Sequence, residues 1–260
     1  MSTANPTMQP VLEQMYNKER PLVFAHRGAM AYAPMNTMAA FELAVEQGAD
    51  GIELDVWMCM DDIPVVIHDF TVDKTTDGEG RIGSMTLDEI KALDAGSWFS
   101  EDFAGQRIPT LDEVFEAVGQ QVFINVEVKS TNINNENIVY HVLESIRNNN
   151  MSDRVIVSSF NPFVLRPMHK AASDIALGLL QDATIPWYVP LLLMGNNYAA
   201  EHPYYKQVDE AFMAKAARKN RHVNVWTVND PDEARRLKSL GVSSVITDKP
   251  DVMLDIMTGE

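Results

Sequence analysis

Two apolar stretches of this chain carry carboxylates at alternate positions. In Gly51-Ile52-Glu53-Leu54-Asp55-Val56 an extended backbone points successive side chains to opposite faces, so Glu53 and Asp55 share one face and Ile52, Leu54 and Val56 the other. Val122 to Lys129 repeats the pattern, with Asn125, Glu127 and Lys129 on one face and Ile124, Val126 and Val128 opposite. Acidic groups on buried strands are costly unless compensated, and a divalent cation compensates several at once. Three oxygen donors without a cysteine or histidine pair at zinc spacing favour a hard ion, Mg²⁺ or Ca²⁺, with open positions for water and substrate. The competing reading is structural ion pairing, such as Glu127 with Lys129.

Two histidines flank these strands. His26 closes the run Leu22-Val23-Phe24-Ala25 and is followed by Arg27; His68 closes Pro64 to Ile67 and is followed by Asp69. A free imidazole titrates near pH ~6.5, so one can accept a proton while the other donates one. The remaining histidines, at 141, 169, 202 and 222, lack such company.

The sequence has 37 acidic and 21 basic residues, a formal charge of -16. That excess opposes binding of nucleic acid or anionic membrane through a general basic field, so a phosphate-bearing ligand needs a local positive site, and the few lysines and arginines beside the acidic motifs gain weight. Val189 to Met194, the longest apolar run, is far short of the ~20 residues that span a bilayer, so no stable membrane insertion is expected. No secretory signal is visible at Met1 to Pro10, and the single cysteine, Cys59, suits a reducing compartment; a cytoplasmic location is the expectation.

The elements that position these groups alternate. Polar residues 1–20, with Pro6 and Pro10, read as a loose lead-in with one short helix, ahead of a single domain over 21–260. Strands are expected at 22–25, 50–56, 122–129, 154–158, 175–180, 197–202, 222–228 and 242–247. Helices are expected at 37–47, 111–118, 134–149, 163–172, 208–219, 231–240 and 250–257. Eight strands alternating with helices in one domain point to a closed (β/α)8 TIM barrel rather than an open doubly wound sheet, and no G-x-G-x-x-G fingerprint follows the first strand. Pro64 to His68 either continues the second strand or pairs with it as a hairpin. Residues 69–109, rich in Thr, Asp and Gly, break the rhythm and read as a cap inserted at the strand C-termini. Asp73, Asp77 and Glu79 within it lack the ligand spacing of a calcium loop. Trp226 shares a strand face with Asn224, where it either walls a substrate near the mouth or packs in the core. Trp187, Tyr188 and Leu191 to Met194 read either as part of an outer helix packed on the barrel or as an apolar lip for an acylated substrate.

In order along the chain, His26-Arg27-Gly28, Glu53-Leu54-Asp55, His68-Asp69, Asn125-Val126-Glu127-Val128-Lys129, Val225-Trp226-Thr227-Val228-Asn229 and Ile246-Thr247-Asp248-Lys249-Pro250 resemble the signature blocks of the glycerophosphodiester phosphodiesterase family. Thr75 to Gly80 and Leu93 to Phe99 resemble that family's cap. The resemblance implies a Mg²⁺- or Ca²⁺-dependent phosphodiesterase on a β/α barrel, which releases an alcohol and sn-glycerol 3-phosphate from deacylated phospholipids such as glycerophosphocholine or glycerophosphoethanolamine. It carries Glu53, Asp55 and Glu127 over as metal ligands, His26 as proton acceptor, His68 as proton donor, and Arg27 and Lys129 as phosphate-binding groups. In the related mechanism the glycerol 2-hydroxyl attacks phosphorus to give a cyclic phosphate that water opens. The chain departs from the family at Pro34-Met35-Asn36-Thr37, where Pro-Glu-Asn-Thr is usual. The alternatives are a phospholipase D-like enzyme acting on lysophospholipids and a barrel that binds phosphodiesters without turnover.

Overall fold

A computed structural model describes the chain over residues 14–183 and 198–259. Among the described residues nine strands form one sheet in the order β1-β9-β8-β7-β6-β5-β4-β2-β3, and β1 also pairs with β2. The strands are β1 Leu22–His26, β2 Gly51–Met58, β3 Pro64–Val66, β4 Phe123–Val128, β5 Val155–Ser159, β6 Ala176–Gln181, β7 Ala200–Pro203, β8 His222–Val225 and β9 Ser244–Thr247. Of these strands only β3 is antiparallel, hairpinned onto β2 through Val56↔Val66. The other eight are parallel and close into a barrel. The hairpin reading of Pro64 to His68 is therefore the one realised, and the (β/α)8 barrel stands.

Helices α1 Met38–Glu46, α2 Leu87–Ala92, α3 Leu111–Val118, α4 Glu136–Asn148, α5 Pro162–Ala171, α6 Glu210–Arg218, α7 Pro231–Leu240 and α8 Pro250–Thr258 are the described helices. All but α2, which lies in the cap, belong to the outer ring. Local chemistry starts them: Thr86 and Thr110 each form a reciprocal capping box with a glutamate three residues on, and Thr37 caps α1, which satisfies amides a helix start leaves unpaired. Outward strand residues Ile52, Leu54, Val56, Ile124, Val126 and Val128 pack with helix residues such as Phe41, Leu111 and Phe115. The residues named for the apolar lip, 187–188 and 191–194, lie outside the described residues.

The inward face is different. At its lower end Leu22, Phe24, Ile156, Ala176, Ala200 and Ile246 enclose Met15, which is fully buried. Residues 15–20 are thus tied down rather than loose. Tyr16 stacks on His222 with centroids 3.9 Å apart and donates to Asn224 Oδ1 at 2.9 Å, while Lys18 and Arg20 both pair with Asp50. Above this layer Gly178 meets the ring of His202; a Cβ there would lie 2.3 Å from Nε2, so the buried imidazole requires glycine opposite it.

Of the stretch 69–109, Val72, Ile82, Ile90 and Ile108 share a small core with Val65 on β3 and with Ile67, joined by Cys59 from the β2–β3 turn. The Asp73 carboxylate accepts from Gly80 N at 2.7 Å, a turn contact as its spacing implied.

Candidate active site

The acidic residues converge because β2 and β4 run parallel in a register that sets Glu53 beside Asn125 and Asp55 beside Glu127. Parity then turns all of them inward. Ligand atoms of Glu53, Asp55 and Glu127 lie within 4.8 Å of one another, and the three residues are 4%, 1% and 7% exposed. Lys129 Nζ lies 2.6 Å from Glu127 Oε1 and 3.0 Å from Asp55 Oδ1, and Arg27 Nε lies 3.2 Å from Asp55 Oδ2. Three carboxylates against two cations leave one negative charge in a buried space. Asp55 Oδ1, although paired in charge with Lys129, accepts no aligned hydrogen bond, and neither does Asn125 Oδ1. An oxygen-only donor set with surplus negative charge and an orphaned carboxylate oxygen fits a hard divalent cation.

The electrostatics separate the three acids. Burial, with the Asp55 and Glu127 charges added, pushes the Glu53 carboxyl well above the usual range. Burial pushes Asp55 up as well, but Lys129 and Arg27 outweigh it and hold that carboxyl low. Burial raises Glu127 against the pull of Lys129. Lys129 is desolvated too, yet the two carboxylates it touches raise its affinity for its proton, so it stays a fixed cation.

His26, paired in register with Glu53, and His68 share one device. His26 Nδ1 lies 2.7 Å from Asp248 Oδ1, and His68 Nδ1 lies 2.8 Å from Asp69 Oδ1. A carboxylate at Nδ1 holds the proton there and leaves Nε2 for chemistry. Asp248 is itself fixed by Asn229 Nδ2 at 2.5 Å, and Asp69 by Lys74 Nζ at 2.8 Å. Burial lowers the His68 pKa, Asp55 opposes that, and Lys129 and Arg27 lower it further.

The turn after β1 aims Arg27. Its φ is 53°, a left-handed conformation that costs a non-glycine residue about 1–3 kcal/mol, and its amide donates to Glu53 Oε2 at 3.1 Å. Gly28 continues the turn at φ 80°, where a Cβ would stand 2.6 Å from the Ala40 backbone. Asn36, also left-handed at φ 57°, donates from Nδ2 to Asp55 Oδ2 at 2.9 Å. Met35 places its sulfur 3.4 Å from Arg27 Nη1.

Trp226 lies one residue beyond β8, half-buried, on the same face as Asn224. Its indole donates to the His202 carbonyl at 2.7 Å, and its ring meets Phe160 edge-on at 5.5 Å and Tyr204 at 5.6 Å. It also packs at the edge of the inner apolar layer, as the core-packing reading expects. Spacing did not single out Phe160, Tyr204, Asn36 or Asp248 as site residues. The first two could have been found by extending the period of two past Ser158 and His202.

Comparison with known proteins follows this geometry. Residues 26–252 match the model of the glycerophosphoryl diester phosphodiesterase family. The chain is 41% identical over 241 residues, 92% of its length and 98% of the other's, to a glycerophosphodiester phosphodiesterase of Caldanaerobacter subterraneus subsp. tengcongensis. It superposes on an Oleispira antarctica phosphodiesterase solved in complex with the product sn-glycerol-3-phosphate, with TM-score 0.84 and 31% identity, covering 94% of this chain and 99% of that one. A crystal structure of a protein from Silicibacter pomeroyi superposes with TM-score 0.86 and 25% identity over 97% of this chain and 98% of that one.

Proposed function

The chain belongs to the glycerophosphoryl diester phosphodiesterase family and is a phosphoric diester hydrolase; from that premise we propose that it cleaves glycerophosphodiesters, such as glycerophosphocholine or glycerophosphoethanolamine, to an alcohol and sn-glycerol 3-phosphate. The observation that carries this reading is the pair of carboxylate-oriented histidines beside the buried cluster of Glu53, Asp55 and Glu127. The Oleispira antarctica enzyme, bound to sn-glycerol-3-phosphate, supports the product assignment.

Glu53, Asp55 and Glu127 would hold one Mg²⁺ or Ca²⁺, which when bound neutralises phosphate charge and acidifies an attacking hydroxyl. Arg27 and Lys129 bind the remaining phosphate charge and fix the phosphorus. His26, its Nδ1 proton held by Asp248, takes the proton of the glycerol 2-hydroxyl at Nε2 as that oxygen attacks phosphorus. The bond from phosphorus to the alcohol oxygen breaks, and His68 Nε2 protonates the departing alkoxide. An anionic phosphodiester offsets the two cations that lower the His68 pKa, which favours the protonated donor. In the second half His68 accepts a proton from water as it opens the cyclic phosphate, and His26 returns its proton to the 2-oxygen. Acid–base catalysis supplies about 10²- to 10⁴-fold, so positioning and preorganised charge carry the greater share. Trp226, with Phe160 and Tyr204, walls the glycerol side. The lone, buried Cys59 suits a reducing compartment such as the cytoplasm; among the described residues no helix is long and apolar enough to cross a membrane.

The test is release of glycerol 3-phosphate from both diesters with EDTA, Mg²⁺ or Ca²⁺, for the wild type and Glu127→Ala. Metal-dependent release that disappears in Glu127→Ala is expected. Absence of release with any metal would sink the substrate assignment, and release indifferent to EDTA and to Glu127→Ala would sink the proposed site.

A further inference from the structure

A cleft of about 590 Å³ opens beside the catalytic cluster, between the cap and the loop that links β4 to α4. Lys129 forms part of its wall while its ammonium touches Asp55 and Glu127, so cleft and cluster are continuous. Trp57, also in the wall, donates from Nε1 to the His68 carbonyl at 2.9 Å, and Phe70 follows His68 by two residues. The cleft therefore lies on the His68 side, whereas His26 is anchored to Asp248 on β9's side of the mouth. Under the function proposed above, His68 protonates the departing alcohol, so the alcohol must sit on the side where this cleft opens.

From the chemistry of its wall we infer that the cleft receives the leaving alcohol and selects a neutral polyhydroxyl group, such as glycerol or inositol, over cationic choline or ethanolamine. No carboxylate lines it among the described residues, in a chain carrying 37 acidic residues. Two cations do, Lys129 and Arg81. A quaternary ammonium is held by open aromatic faces or by anions; of the two rings in the wall, the exposed Phe70 already lies under the Arg81 guanidinium, with Cζ 5.9 Å from the centroid, and Trp57 is half-buried with its indole tied to the His68 carbonyl. The β4–α4 side presents the amides of Asn132 and Asn134, both exposed. Amides and guanidinium together offer donors and acceptors matched to vicinal hydroxyls.

The experiment compares kcat/KM for glycerophosphoglycerol, glycerophosphoinositol and glycerophosphocholine with the metal-loaded full chain, in wild type, Arg81→Glu and Asn132→Leu. The wild type should favour a polyol substrate over the choline substrate by tenfold or more. Arg81→Glu should narrow that ratio at least tenfold, chiefly through a lower KM for glycerophosphocholine, and Asn132→Leu should narrow it by weakening the polyol substrates. Equal or better use of the choline substrate by the wild type would overturn the inference, as would a ratio unmoved in both variants. Hydrolysis of none of the three would instead overturn the glycerophosphodiester reading on which the inference rests, and the inference with it.

Discussion

Glu53→Gln tests the cluster because it drives two observables in opposite directions. Glu53 faces two carboxylates at 4.8 Å or less; at an effective dielectric of ~20, each like-charge contact at that distance costs about 3.5 kcal/mol. Arg27 and Lys129 cancel most of this repulsion, which leaves a net penalty on the order of 1–2 kcal/mol in the metal-free protein. Burial and the Asp55 and Glu127 charges hold the Glu53 carboxyl well above its ordinary value of 4.5. The folded state thus keeps a proton that the unfolded chain has released, so metal-free stability declines as pH rises from 4.5 through the raised folded value, and at neutral pH the cost is present. The neutral amide still accepts the Arg27 amide hydrogen but removes the charge. With about 2–4 °C per kcal/mol for a chain of this size, the metal-free Tm should rise by about 2–8 °C. Metal at ~100 times its Kd stabilises the wild type by about 2.7 kcal/mol, or roughly 5–10 °C, and most of that increment should vanish in the variant together with turnover. Differential scanning fluorimetry at pH 7.5 in EDTA, Mg²⁺ and Ca²⁺ reads both. A variant that is less stable than wild type without metal, or that keeps the full metal increment, refutes the ion site and leaves a structural ion-pair network.

Three further outcomes are expected. Burial lowers the His202 pKa from 6.5 to about 3, so the neutral imidazole contributes stability that is full above pH 6.5 and is lost as pH falls toward 3. The difference of about 3.5 pH units at ~1.4 kcal/mol each comes to about 5 kcal/mol, and urea unfolding should show a flatter slope between pH 6 and 4 in His202→Asn; equal slopes would contradict this. Asp248→Asn forces an amide group against either the His26 Nδ1 hydrogen or Asn229 Nδ2, so steady-state kinetics should show kcat reduced by about 10² or more with KM little changed; a loss confined to KM would count against the orienting role. Met35→Glu brings a carboxylate to Arg27 Nη1, now 3.4 Å from sulfur, and gains a charge-assisted hydrogen bond worth about 1.5–3 kcal/mol before the added negative charge is counted. Calorimetry should show Tm rising by a few degrees with turnover retained, and an unchanged or lower Tm would show that the loop does not admit the pair.

Much of the site was legible because the signals that place it are local. Alternation along Gly51 to Val56 and Val122 to Lys129 sets which side chains share a face, and β2 and β4 are neighbours through one crossover, so inward parity on each strand suffices to bring Glu53, Asp55 and Glu127 together. Helix boundaries were also written locally, in Thr110 ahead of Leu111 and in Asp230-Pro231 ahead of α7. Strand β8 is shorter than its apolar pattern suggests. Past Val225 regular pairing gives way to the single bridge Tyr204↔Trp226, and the chain turns to place Asn229 under Asp248.

What alternation does not encode is which distant face meets it. His26 and Asp248 are 222 positions apart and touch only because β1 closes the barrel against both β2 and β9. The same holds at the lower end, where Tyr16 reaches Asn224 across 208 positions. Residues 1–20 read as a loose lead-in because they carry two prolines and no sustained period, yet for residues 16–20 the barrel floor supplies a ring for Tyr16 to stack on and Asp50 for Lys18 and Arg20 to pair with. A short polar segment gains order from tertiary burial whenever its few apolar groups fit a preformed gap, and Met15 with no exposed surface is such a case. The acidic half of the candidate site, on β2 and β4, is therefore fixed by adjacent units of the chain. The half that holds His26 is fixed by ring closure, and that difference in range explains why Glu53 could be placed beside Asp55 and Glu127 from spacing while Asp248 could not be placed beside His26.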